Sequence, residues 1–394
     1  MPIKPSSRLT QIQPPATLVA GEKARQQAKL GRDIIDLGQS SPYHVTPEHI
    51  IKAGVSALET GLTNISSSSG ISEFKQALAN KLQIYNNLDI DPDKDLIITP
   101  GSKMGLYESI NAFVGQGDDV LIIEPTWVSF RQQVALAQGN AITVPLSEEE
   151  EYMITYDQLT DSITDQCKMI VINNPNNPTG RVYTKTELEA VARVCQENDL
   201  LALCDETYEY FTYDDNSHIT LASLPGMWDR TLTSYTFTKA YAMAGWRLAC
   251  IVGPSDLISP LISIHEHTAG FVSPFIQVAG TQALQGPQDH ISLWKADCDI
   301  LRTEVASLLN SVTGVTCPTP QGATFVFPRY DLPISSSVLS ELLVEEEGVV
   351  VTPGIGFGLS GENHFRIALM RSPVERVLEG AQRIVRFLER RYLK

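Results

Sequence analysis

Short β-type runs alternate with amphipathic stretches over most of the chain, and glycine, proline or asparagine punctuates the changeovers. Leu96–Thr99, Val120–Ile123, Ile142–Pro145, Met169–Asn173, Leu200–Cys204, Thr231–Thr236 and Leu248–Val252 are too short for helices, and their continuity predicts buried strands. Between them Met104–Val114, Val128–Ala137 and Lys185–Glu197 place apolar residues at helical spacing. Strand–helix alternation of this kind predicts an α/β fold, a mainly parallel sheet covered on both faces. Beyond about residue 290 the pattern changes. A long helix, Ile291–Leu309, precedes the strand-like Thr324–Pro328, Val349–Thr352 and Phe365–Leu369, and a helix over Val374–Tyr392 closes the chain. We expect residues 46–290 to form a large domain, and residues 1–45 and 291–394 an N-terminal arm with a smaller α+β domain. Neither repeats nor a low-complexity linker interrupt this plan.

Parallel sheets gather ligands at the carboxyl ends of their strands. Gly101-Ser102-Lys103, Trp127, Asn174–Gly180, Asp205-Glu206-Thr207-Tyr208 and Lys239 all follow predicted strands directly, which puts five polar or aromatic clusters on one rim.

Composition narrows the class. The 394 residues leave room for two domains, and 43% hydrophobic with 19% charged residues is ordinary for a globular protein. A formal net charge of −16 argues against a nucleic-acid partner, whose phosphates need basic surface. Met1–Ser7 lacks an apolar h-region and no run reaches membrane-spanning length, so a cytoplasmic enzyme without membrane contact is expected. The six cysteines are scattered without a Cys-x-x-Cys pair, which argues against a metal site or a disulfide framework and for buried thiols in a reducing compartment. The acidic runs Glu148–Glu151 and Glu345–Glu347 are expected to be solvated faces or turns.

The segment Ser234–Cys250 carries the clearest chemistry. Lys239 sits among hydroxyls and aromatics, with Arg247 eight residues later. Apolar neighbours predict a desolvated amine, which is how a lysine becomes nucleophilic toward carbonyls. Arg247 with the hydroxyls of Thr236 and Thr238 is what a phosphate needs. An imine-forming lysine beside a phosphate cradle describes a pyridoxal 5′-phosphate site. Asp205 ends a very apolar strand and needs a positive partner, which a pyridinium nitrogen would supply; a helix-capping or turn aspartate is the plainer alternative. Tyr208 and Asn177 could donate to the same ring's 3′-oxygen, or be a packing tyrosine and a turn residue. Gly101, Ser102 and Lys103 open a helix whose N–H groups suit an anion. Trp127 suits stacking on a heterocycle or a place in the core. Arg366 interrupts a strand-like run, where a guanidinium grips a substrate carboxylate or lies at the surface.

With these motifs in hand, the chain resembles the class I/II aminotransferases of pyridoxal-phosphate fold type I, nearly end to end. Asn177-Pro178-Thr179-Gly180, Asp205-Glu206-Thr207-Tyr208 and Thr-x-Thr-Lys-x-x-x-Met-x-Gly-Trp-Arg around Lys239 occur in the family's order and spacing. Ser7-Arg8-Leu9 and Leu37-Gly38-Gln39-Ser40 resemble the prokaryotic-type aspartate aminotransferase subgroup. The resemblance implies a mainly parallel seven-stranded sheet in the large domain and a homodimer with active sites at the interface. It implies that Lys239 forms the Schiff base and moves the proton, Asp205 holds the pyridine nitrogen, and Tyr208 with Asn177 holds the 3′-oxygen. Trp127 would stack on the ring, while Gly101, Ser102, Lys103, Thr236, Thr238 and Arg247 would bind phosphate. Gly38 and Arg366, with Trp127 and Asn177 beside them, would meet the substrate. Two departures stand out. Ile65 occupies the place of a family tyrosine that reaches the partner subunit's phosphate, and His265–Gln277 lacks the arginine that reads dicarboxylic side chains in some relatives.

The expected activity is therefore transfer of the α-amino group of an L-amino acid to a 2-oxo acid. A lyase, cyclase or oxidase on the same scaffold is the alternative, kept open by Ile65 and the serine run beside it. A non-catalytic effector module is disfavoured by the acidic charge and the short arm before Gly38.

Overall fold

The computed structural model describes residues 3–6, 8, 9, 12 and 16–392; Ser7 of the arm motif lies outside them. The first strand, β1 (Ile35–Asp36), belongs to the arm. Seven further strands form one sheet: β2 (Leu96–Thr99), β3 (Asp119–Glu124), β4 (Asn140–Pro145), β5 (Cys167–Asn173), β6 (Leu201–Asp205), β7 (Thr231–Thr236) and β8 (Ala249–Val252). Their order is β2-β8-β7-β6-β5-β3-β4, and β8 alone runs against its neighbours. Helices cover both faces, so β2, β3, β7 and β8 are buried at every position and carry no polar alternation. Only the edge strand β4 is largely accessible. Each predicted strand of this sheet is found, with bounds shifted by at most two residues.

The helix Lys185–Glu197 starts at a capping box, in which the Thr184 hydroxyl accepts from the Glu187 N–H and the Glu187 carboxylate accepts from the Thr184 N–H. Five further helices between residues 46 and 290 stand outside the expectations: Glu48–Glu59, Ser72–Tyr85, Tyr156–Thr160, Ser255–Thr268 and Pro274–Gln285. Two of these cross closely where Gly54 lets Trp246 and Ala279 approach its Cα.

In the C-terminal part the strand-like runs shrink. Thr324–Pro328 becomes Phe325–Val326, which pairs with Phe365–Ala368. Val349–Thr352 divides, because Val349–Val350 pairs in parallel with β1 whereas Thr352–Pro353 turns to Phe365–Ala368. The helix Val374–Tyr392 has the expected bounds and buries Val377, Ala381, Ile384 and Leu388 at helical spacing. The acidic runs lie at the surface as expected, Glu149–Glu151 exposed in a turn and Glu345 and Glu346 exposed before the last strands, and arginines of this helix add ion pairs from Arg391 to Glu346 and from Arg390 to Glu347. In the first run Glu148 is half-buried, its Oε2 3.3 Å from His364 Nε2, and Glu149 lies 3.9 Å from Arg329 Nη1. Both acidic runs meet cations from distant segments, which local sequence does not display.

Candidate active site

The carboxyl ends of β2, β3, β5, β6 and β7 share one rim, and the loops leaving it enclose a cavity of about 410 Å³. Ser102, Lys103, Trp127, Asn177, Asp205, Tyr208, Thr236, Thr238, Lys239, Arg247 and Arg366 all line it. Gly101 and Gly38 stand just behind that lining. A Cβ at Gly101 would overlap the Arg247 guanidinium, and Gly101 has φ +87°, so only glycine suits this start of the helix Ser102–Phe113. The carbonyl of Gly38 accepts from Arg366 Nη2 at 2.6 Å and from Thr352 Oγ1 at 2.7 Å.

Lys239 is buried, and desolvation brings its amine down to about 7, with the Arg366 charge adding to the shift and Asp205 opposing it. Its Nζ donates to the Ser40 carbonyl at 2.7 Å, lies 3.1 Å from Ser40 Oγ, and stands 5.5 Å from the Tyr208 ring centre. Burial pushes Asp205 up to about 6, although Thr207 N–H and Oγ1 both donate to its Oδ1. The Lys239 charge opposes the rise as well. Tyr208 is held above its ordinary value by burial.

Arg366 is the largest fully buried side chain, its guanidinium 4.4 Å from the Phe325 ring centre and 4.9 Å from that of Phe357. Burial brings it down to about 10. Nη1 donates to Asn177 Oδ1 at 2.8 Å, which leaves the Asn177 amide its two N–H donors. Among the described residues no carboxylate pairs with Arg366, and its buried Nε has no partner. A desolvated cation of this kind calls for an anion.

The opposite end is a second anion cradle. Thr236 Oγ1 and Thr238 Oγ1 are 2.9 Å apart, and Arg247, in left-handed conformation at φ +58°, anchors to the carbonyls of Ala244 and Pro100. The Lys103 amine, lowered by burial and by Arg247, lies 5.2 Å from the Trp127 ring centre. The cavity thus sets four basic side chains, Lys103, Lys239, Arg247 and Arg366, against one buried carboxylate, Asp205.

Sequence reasoning named no role for Gln39, Ser40, Ser41, Asn173, Thr207 and Ala244, which complete the lining. Thr207 had a signal, a hydroxyl two residues after an aspartate. Outside the cavity, Glu206, Glu209 and His218 come together in one buried group, where Lys81 Nζ is 2.5 Å from Glu209 and supplies the counter-charge.

A model of aminotransferase class I and II matches residues 32–384. The chain belongs to that family. An aspartate aminotransferase of Pyrococcus abyssi is 36% identical over 90% of this chain and 92% of its own. Aromatic-amino-acid aminotransferase 2 of Thermococcus litoralis is 36% identical over 91% and 93%. The solved aromatic aminotransferase of Pyrococcus horikoshii superposes with a TM-score of 0.89 at 36% identity, covering 94% of this chain and 100% of that one. This aminotransferase accordingly moves amino groups between amino acids and 2-oxo acids with pyridoxal 5′-phosphate, on fold type I. The donor set fits that cofactor: a lone buried carboxylate for the ring nitrogen, an amine for the aldehyde, and a glycine-backed arginine with two hydroxyls for the phosphate.

Proposed function

We propose that Lys239 is both the nucleophile and the proton carrier of this aminotransferase. Near neutrality its amine is already available in the free-base form. When bound, pyridoxal phosphate supplies the electron sink that lets the substrate's α-proton leave. Asp205 would keep the ring nitrogen protonated, with Tyr208 and the Asn177 amide donating to the 3′-oxygen. Trp127 would cover the ring. Gly101, Ser102, Lys103, Thr236, Thr238 and Arg247 would hold the phosphate, and Arg366 with Gly38 the substrate α-carboxylate. Gripped by Arg366, the substrate presents Cα to Lys239 Nζ, which takes its proton and returns it on the far side of the transfer. A 2-oxo acid then binds the same arginine for the return half. One observation carries this reading: a buried lysine amine shares a cavity with an arginine that has no carboxylate among the described residues. We expect Lys239→Ala to abolish turnover with every amino donor while near-UV circular dichroism still reports the parent's fold. Retained turnover would overturn the assignment.

The division into a large domain (46–290) and a small one (1–45 with 291–394) is part of this proposal. It is supported by one apolar cluster that joins Ile35 and Leu37 of the arm to Val305, Ile367 and Ile384. A homodimer is supported by the exposed Val55, Leu58, Leu62 and Ile65, of which Leu62 also lines a cavity of about 440 Å³ with Ala53, Ile71 and Pro274. A cytoplasmic location is supported by six free cysteines. Among the described residues no helix is long and apolar enough to cross a membrane.

A further inference from the structure

The Lys239 amine is held by a residue to which sequence reasoning assigned no role. Both hydrogen bonds of Nζ go to Ser40, one to its carbonyl at 2.7 Å and one to its hydroxyl at 3.1 Å. Ser40 is itself held firmly. Two residues before it, the Gly38 carbonyl is gripped by Arg366 and Thr352. A few residues after it, Tyr43 N–H donates to the Met370 carbonyl, and Thr46 Oγ1 donates to the Ala242 carbonyl at 2.8 Å. The segment therefore bridges the strand that bears Arg366 and the loop that bears Lys239.

The two contacts differ in kind. A carbonyl only accepts, so it fixes one N–H of the amine whether or not the amine is protonated. A hydroxyl accepts and donates, so it can receive an N–H of the ammonium or give its own proton's hydrogen bond to the lone pair of the free base. The hydroxyl thus follows the proton that Lys239 gains and loses, while the carbonyl fixes the direction of the amine.

We propose that Ser40 is a positioning residue of the transamination, its carbonyl and hydroxyl docking the ε-amine of Lys239 whenever that amine is released. This rests on the reading of Lys239 as proton carrier. When the substrate's α-proton passes from Cα to Nζ, the new ammonium gains an N–H that Ser40 Oγ accepts, and the contact reverses when the proton moves on. The same segment ties the carboxylate grip at Gly38 to the amine dock two residues later.

The test uses holoenzyme kept with excess amino donor and no oxo acid, the condition in which the Lys239 amine is released. Acetylation of that amine by acetic anhydride is followed against pH by peptide mass spectrometry, in parent, Ser40→Ala and Ser40→Thr proteins. Loss of a hydrogen bond to the charged form lowers the acetylation midpoint, by about one pH unit in Ser40→Ala. We expect kcat to fall about tenfold in that variant with KM nearly unchanged, and Ser40→Thr, which keeps the hydroxyl, to restore both. An unchanged midpoint in Ser40→Ala overturns the proposal. So does an equal loss in Ser40→Ala and Ser40→Thr, since that marks a role in packing alone. Full turnover by Lys239→Ala overturns the reading of Lys239 itself, a result separate from any obtained at Ser40.

Discussion

Burial displaces the titrations of Asp205 and Lys239 in opposite directions, and the two leave opposite signatures on stability. In the cofactor-free protein burial raises Asp205 from its ordinary 3.8 to about 6. Between those values the native state binds more protons than the unfolded chain, so stability falls as pH rises through the window and stays lost above it. Burial lowers Lys239 from its ordinary 10.5 to about 7. There the unfolded chain binds more protons, and stability rises with pH across that window. We therefore expect cofactor-free Asp205→Asn to melt no lower than the parent at pH 7, and the difference between the two to vanish near pH 4, while turnover is lost. A variant that melts well below the parent at pH 7 would contradict this account. Arg366→Lys replaces a fork that reaches Asn177, Gly38 and Thr352 at once by a point charge. Steady-state kinetics should show kcat/KM reduced by roughly a hundredfold, as for a truncated buried charge contact.

Helix starts set the geometry of the rim. In Gly101→Ala the added carbon meets Arg247, and the positive φ penalises any side chain. Fluorescence titration of the cofactor-free protein should then show pyridoxal phosphate bound at least tenfold more weakly, the loss of about one charged hydrogen bond. Thr184→Ala removes a cap far from the cavity and should cost about 1 kcal/mol in denaturant unfolding with kcat unchanged. Legibility differed between elements for the same kind of reason. The sheet strands were readable because cover on both faces leaves continuous apolar runs. The helix Pro274–Gln285 was not, because it packs between Glu48–Glu59 and Ser72–Tyr85 and has little polar face to set a period.

Across the whole molecule, exposed apolar side chains crowd the end of the helix Glu48–Glu59 and the loop after it. If a second copy covers them, Leu58→Asp combined with Leu62→Asp should halve the mass seen by sedimentation equilibrium. A variant that sediments like the parent would count against this face. Ile65, exposed on the same loop, falls where the resemblance implies a tyrosine, so a second copy seated on this face would meet an apolar side chain there.

Lys239, Asp205, Asn177 and Arg366 could be named from the chain because each breaks a local pattern: a cation among aromatics, a carboxylate closing an apolar strand, an amide in a turn, a guanidinium within a strand. Strand and helix alternation placed most of them on one rim in the same way. The contact of Lys239 with Ser40 spans 199 residues, and that of Arg366 with Gly38 spans 328. Such pairings, and the displaced titrations of Lys239 and Asp205, arise from burial summed over many distant segments. Desolvation depends on everything packed around a group, and no local window of residues contains that sum.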